Sequence, residues 1–185
     1  AAYTAAEGAA LVTMVGRLTL GKKKYAEVES QISEMVLKSE DLRVKLTRAV
    51  QEDAAAFDLY MQATRLPKDT LEQQQVRAEA LENATIEAIK APYETALLAL
   101  EVLRLALTAA TFGNLNAISD AASAGQCAAA GFRSAVLNVR INARNLNHPE
   151  KVADILAEVE QLSRLPEPLL AGISEQLAAR AGITL

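Results

Sequence analysis

Residues 25–64 read YAEVESQISEMVLKSEDLRVKLTRAVQEDAAAFDLYMQAT, and the spacing within them decides the fold. Val28, Ile32, Met35, Ser39, Leu42, Leu46, Ala49, Asp53, Phe57 and Tyr60 recur at steps of four and three. Side chains so spaced share one face of a helix, and a run this long makes a heptad-like seam for packing against neighbouring helices. The pattern predicts one very long helix. Its stop is Leu66-Pro67-Lys68-Asp69-Thr70: proline drives the residue before it out of the helical region, and Asp69 or Thr70 can cap the next helix.

Outward from this stretch the period stays at three to four, with no alternation of strand type. Residues 2–20 predict a helix of small side chains that ends at Gly21 and a lysine cluster. Residues 70–89 predict a charged amphipathic helix, half exposed. Another is expected to begin near Pro92, a tolerated first-turn position, and to run to Gly113. A polar interruption, Asn114 to Asp120, precedes residues 121–146, which are Ala, Gly and Val on nearly every side. A helix apolar all round is central, and small residues let neighbours approach. A final helix is expected at 149–164, then a proline-marked tail. The sum is an all-α, up-and-down bundle of long helices, a single domain over residues 1–185.

Composition narrows the function. The chain is 51% hydrophobic but only 4% aromatic, which favours close helix–helix approach over packing of large rings. Net charge is −4 with the signs interspersed, so no basic face for nucleic acid is expected. Cys127 is alone, which rules out an internal disulfide and fits a reducing cytoplasm. No cleavable leader is visible and no uncharged stretch is long enough for a bilayer, so no membrane association is expected.

Asp53 is the most informative residue. On an apolar seam its charge must be paired, neutralised, or open to a cavity, because a bare buried carboxylate is costly. Desolvation would suit it to proton transfer; pairing with an arginine or capping a helix would make it structural. The Asn114–Asp120 break could line a pocket with helix-end amides, while Ser119 or Asp120 could cap the next helix. Ser134, Asn138, Asn142 and Asn145 share a face of the central helix and need hydrogen-bond partners there. Arg133, Arg140 and Arg144 lie beside them and could pair with acidic groups, a ligand carboxylate included.

Other chemistries fit poorly. Gly16 to Lys23 nearly spells a phosphate loop, but it lacks the magnesium-binding hydroxyl and comes after a helix, not a strand. Lys22, Lys23 and Lys24 with Tyr25 could still meet an anion, or simply form a solvated helix start. His148 is the one histidine and has no Glu-x-x-His partner, so no metal is expected. Cys127 lacks an electropositive setting, and no nucleophile elbow is present.

Ordered blocks carry a resemblance. Gly8-Ala9-Ala10-Leu11 with Met14-Val15, Leu18-Thr19-Leu20-Gly21-Lys22-Lys23-Lys24-Tyr25, Glu52-Asp53-Ala54-Ala55-Ala56-Phe57 and Leu66-Pro67-Lys68-Asp69-Thr70 are four of them. Gly113 to Asp120 and Leu137-Asn138-Val139-Arg140-Ile141-Asn142 complete the set, over about residues 1–146. Together they resemble the cyclodeaminase/cyclohydrolase family of one-carbon folate enzymes.

The resemblance implies a helical homodimer acting on a tetrahydrofolate derivative, with no cofactor beyond that substrate. Formiminotetrahydrofolate cyclodeaminase activity is the leading expectation, methenyltetrahydrofolate cyclohydrolase the alternative, and a non-catalytic helical subunit a third possibility. The family's proposed catalytic aspartate falls on Asp53. Lys22, Lys23, Tyr25, Asn114, Asn116, Ser119, Asp120, Asn138 and Asn142 are the implied substrate contacts. The family pattern also places a Gly-Gly-Gly-Ser stretch just ahead of the first helix, and this sequence begins just past that point. Glycine amides there are expected to touch the ligand.

Overall fold

The structure, a computed structural model, describes residues 1–184. Among them six α-helices succeed one another: α1 (Ala2–Thr19), α2 (Glu29–Thr64), α3 (Leu71–Phe112), α4 (Ile118–Ala143), α5 (Ala153–Leu162) and α6 (Pro166–Ala181). Helices α1 to α4 form the up-and-down bundle; α5 and α6 come after it, with α6 against α3 and α4. The all-α expectation holds.

The seam of α2 is buried from Ile32 through Ala49. Its one polar member there, Ser39, is fully buried and shares a 2.8 Å hydrogen bond with the Thr13 hydroxyl of α1. Satisfying that hydroxyl is what lets a serine occupy a core position. Thr70 caps α3 with a reciprocal box, its Oγ1 accepting from the Gln73 amide while Gln73 Oε1 accepts from the Thr70 amide, both at 3.2 Å.

Small residues set the α1–α4 approach. A Cβ added at Gly8 would sit 2.9 Å from the Ala124 carbonyl oxygen, and one at Gly131 would sit 3.0 Å from the Ala1 carbonyl oxygen. These two contacts also fix direction: α1 runs antiparallel to α4 and begins beside Gly131.

Three expectations change. The long second helix starts at Glu29, because Lys23–Val28 form a 3₁₀ segment that breaks at Tyr25. The two helices expected on either side of Pro92 are one, α3, with Pro92 inside it and buried. The lost intrahelical bond is tolerated there because a side-chain donor from α4, Asn142, replaces it. The tail is helical: α6 buries Ile173 and Leu177, and Arg180 donates to the carbonyls of Ala110 and Gly113, closing the end of α3. Helix α3 also contains a charge-interrupted window that by length and composition could cross a membrane, and half of that window is buried inside the bundle.

Candidate active site at the Asp53 cavity

A cavity of about 460 Å³ lies between α2, α3 and α4. That volume suits a small organic ligand. Its wall is Asp53, Ala54, Phe57 and Tyr60 from α2, Thr85 and Ala88 from α3, and Asn138, Asn142 and Asn145 from the end of α4. Asp53 is exposed to this cavity and has no salt-bridge partner among the described residues. Of the three fates open to a carboxylate on the seam, the structure selects exposure in a cavity.

The asparagines are not equivalent. Asn142 donates through Nδ2 to the Ala88 carbonyl at 2.6 Å, which leaves its Oδ1 as an acceptor. Ala88 stands four residues before Pro92, whose nitrogen carries no hydrogen, so that carbonyl lacks its usual intrahelical donor. Asn138 and Asn145 spend no side-chain hydrogen bond within the described residues. Ser134, expected on the same face, is not part of the wall.

A buried acid steadies the loop after α4. Glu82 is only 6% exposed and accepts the backbone N–H of Asn147 at 3.1 Å and of His148 at 3.0 Å, with Lys151 at 3.7 Å. Burial pushes its carboxyl up, but those two amides and the Lys151 and His148 charges outweigh it and hold the group below its usual range. Asn145, two residues before this clasp, is thereby positioned at the cavity.

The remaining expected contacts lie elsewhere in the chain. Lys22, Lys23, Tyr25, Asn114, Asn116, Ser119 and Asp120 gather at the opposite end of the bundle, and none lines the Asp53 cavity. Along α4, Ser119 to Asn138 is about 28 Å at helical rise. Asn114 is buried, donating from its backbone to Thr19 Oγ1 at 2.8 Å and from Nδ2 to the Leu18 carbonyl at 2.9 Å. Its Oδ1 accepts the Asn116 amide at 3.1 Å, and the Tyr25 hydroxyl accepts the Leu115 amide at 3.0 Å. Both side chains tie the segments at this end of the bundle together. Asn114, not Ser119 or Asp120, supplies the capping oxygen, because a 3₁₀ turn over Leu115–Ala117 precedes α4. Lys22 and Lys23 are exposed.

Arg133 and Arg140 pair with Glu167 and Glu160 at 2.6 and 2.9 Å. Burial, then the charge of Glu7, raises the Cys127 thiol and keeps it protonated. Among the described residues no three His, Cys, Asp or Glu side chains group as metal ligands would. Thr85, Ala88 and Tyr60 were not foreseen as site residues. The available signals were Tyr60 seven positions after Asp53 and Ala88 four before Pro92.

An open helical cavity lined by a carboxylate without an ion-pair partner and a row of carboxamides is a candidate small-molecule site. The family description formiminotransferase-cyclodeaminase matches residues 1–161. The chain is 45% identical to a methenyltetrahydrofolate cyclohydrolase of Methylorubrum extorquens, over 88% of this chain and 78% of that one. It is 31% identical to the formimidoyltransferase-cyclodeaminase of Sus scrofa, over 97% of this chain and 33% of that protein, so it spans about a third of the two-activity relatives. The crystal structure of a formiminotetrahydrofolate cyclodeaminase from Thermotoga maritima superposes with a TM-score of 0.84 at 26% identity, covering 96% of this chain and 85% of that one. The chain belongs to the formiminotransferase-cyclodeaminase family, and these three relatives are one-carbon folate enzymes.

Proposed function

We propose that the chain opens the ring of 5,10-methenyltetrahydrofolate with water to give 10-formyltetrahydrofolate, using Asp53 as the proton-transfer group. The observation that supports it is the free carboxylate in the cavity, together with the 45% identity to a stand-alone cyclohydrolase. Water adds to the methenyl carbon and gives up a proton to the Asp53 carboxylate. The carbon–N5 bond then breaks as the carbinol hydroxyl loses its proton to solvent. N5 takes the first proton back from Asp53, the formyl group stays on N10, and one proton is released overall because the methenyl substrate is a cation. Such general acid–base help contributes about 10²–10⁴-fold. The atoms and electrons balance without a metal or redox cofactor. Asn138 and Asn142 bind the substrate, Asn142 through the oxygen its Ala88 contact leaves open.

The second reading is the cyclodeaminase reaction, favoured by the Thermotoga maritima structure, which is itself a cyclodeaminase of similar length. There N10 attacks the formimino carbon and ammonia leaves, and the same carboxylate moves the protons. Offering both 5,10-methenyl- and 5-formiminotetrahydrofolate separates the two. Loss of methenyl absorbance without ammonia supports the cyclohydrolase; ammonia release with methenyl gain supports the cyclodeaminase. Turnover of neither overturns both and leaves a non-catalytic helical subunit.

The proposal includes a homodimer in the cytoplasm. Tyr3, Ala10 and Met14 on α1 and Ala130, Leu137 and Ile141 on α4 are exposed at helical spacing on two adjoining helices. Those exposed apolar residues are what a second copy would cover.

A further inference from the structure

The chain holds three phenylalanines, and the structure treats them differently. Phe132 is fully buried and Phe112 packs against the core, but Phe57 is 61% exposed. A single exposed apolar side chain needs no explanation on its own. Phe57 differs from the other exposed apolar residues of α2 because it lines the cavity, one turn from Asp53, with Tyr60 one turn further on. In a protein with 4% aromatic residues, two rings beside the one free carboxylate form the aromatic part of this wall.

Across the cavity stand the carboxamides. Asn138 and Asn145 have donors and acceptors unspent, and Asn142 keeps an acceptor. A ring face on one side and amides on the other match a flat heterocycle with alternating donors and acceptors along its edge. A purely aliphatic ligand would use neither.

We propose that Phe57 is the stacking surface for the pterin ring of the folate, holding the one-carbon unit against Asp53 while the asparagines read the pterin's polar edge. This rests on the folate reading above. Phe57 is a binding and orienting residue and takes no part in proton transfer. Stacking present in both ground and transition states changes KM and leaves kcat nearly untouched.

The test is Phe57→Leu and Phe57→Tyr in the full chain. Because the ring is exposed in the free protein, neither substitution removes core packing, and both variants are expected to melt as the wild type does. Phe57→Leu should raise KM for the turned-over folate about tenfold with kcat within about threefold, and Phe57→Tyr should restore KM. Inhibition by a simple pterin should weaken in Phe57→Leu, while inhibition by p-aminobenzoylglutamate should not. An unchanged KM overturns the proposal. So does weakening confined to p-aminobenzoylglutamate, which would place the ring against the wrong half of the folate. A Phe57→Leu protein that sediments at a smaller size than the wild type also overturns it, because the ring would then belong to a subunit contact. If the wild type neither binds nor turns over any folate, the functional reading fails first, and that result is distinguishable from a failure at Phe57.

Discussion

Pro92 and Asn142 are coupled through one carbonyl group. The proline, inside α3, cannot donate to Ala88 four residues earlier, and Asn142 of α4 donates to that oxygen instead, at 2.6 Å. One contact satisfies a helix break, joins two central helices and leaves the Asn142 oxygen as an open acceptor in the cavity wall. Asn142→Ala should therefore destabilise the fold by about 1–3 kcal/mol, the cost of leaving a sheltered acceptor unmade. In a Pro92→Ala background the helix recovers its own donor, so the same Asn142→Ala change should cost less. A double-mutant cycle on urea melts measures this coupling; additive losses would show that the two residues act separately.

Asp53→Asn tests the chemistry with little structural disturbance. The side chain is exposed and makes no ion pair among the described residues, so the melting temperature should not move. Turnover should fall by about 10²–10⁴-fold, the range for loss of a general acid–base group, with KM changed little. Stopped-flow absorbance of the methenyl chromophore reads both. A rate within a few fold of wild type would remove Asp53 from the mechanism.

Much of this arrangement is written in local spacing. The α2 seam is legible through Ala49 because each step of it meets another helix. It then misleads, since Asp53, Phe57 and Tyr60 keep the period but line a cavity, and spacing alone does not reveal what faces them. Pro92 misled for the same reason: its missing hydrogen bond is compensated by Asn142, fifty residues on, and only the fold shows that partner. Asn114 was legible as a polar break between helices. Whether its amide faces a ligand or a backbone carbonyl depends on α1, whose Leu18 and Thr19 meet it at that end.

Glu82 should give the protein an acid-sensitive step. Its folded carboxyl is held below the ordinary value of 4.5, so its contribution is complete above that value and is lost as pH falls through the lower, folded one. Glu82→Gln removes the charge, and the variant's stability should vary less with pH on the acid side. Thermal melts between pH 3 and pH 7 compare the slopes, using pH values set around the ordinary carboxylate range. Parallel curves for both proteins would assign the acid response to other carboxylates.

Gly8→Ala sets two effects against each other. Alanine is the better helix former by about 1 kcal/mol. The added Cβ, however, would lie 2.9 Å from the Ala124 backbone oxygen and 3.2 Å from the Ala128 nitrogen, and backbone atoms of a packed helix yield poorly. Overpacking of this kind costs about 1–3 kcal/mol, so the net result should be destabilising. A raised melting temperature would show that α1 can slide away from α4 at no cost.

The exposed apolar residues of α4 should be tested by charge. Leu137 is 63% exposed and Ile141 53%, one turn apart on α4, and Met14 lies on the adjoining helix. Exposed singly, such residues mean little; Leu137 and Ile141, adjacent on one helix face, make a surface that water disfavours. Sedimentation of the wild type should give twice the 19.7 kDa chain mass. Leu137→Glu would place a charge in the middle of a two-fold contact, where each copy meets the same substitution on its partner. It should shift the protein to the single-chain mass while circular dichroism stays helical. A wild type that sediments as a single chain at micromolar concentration would show that this face has no second copy to cover it.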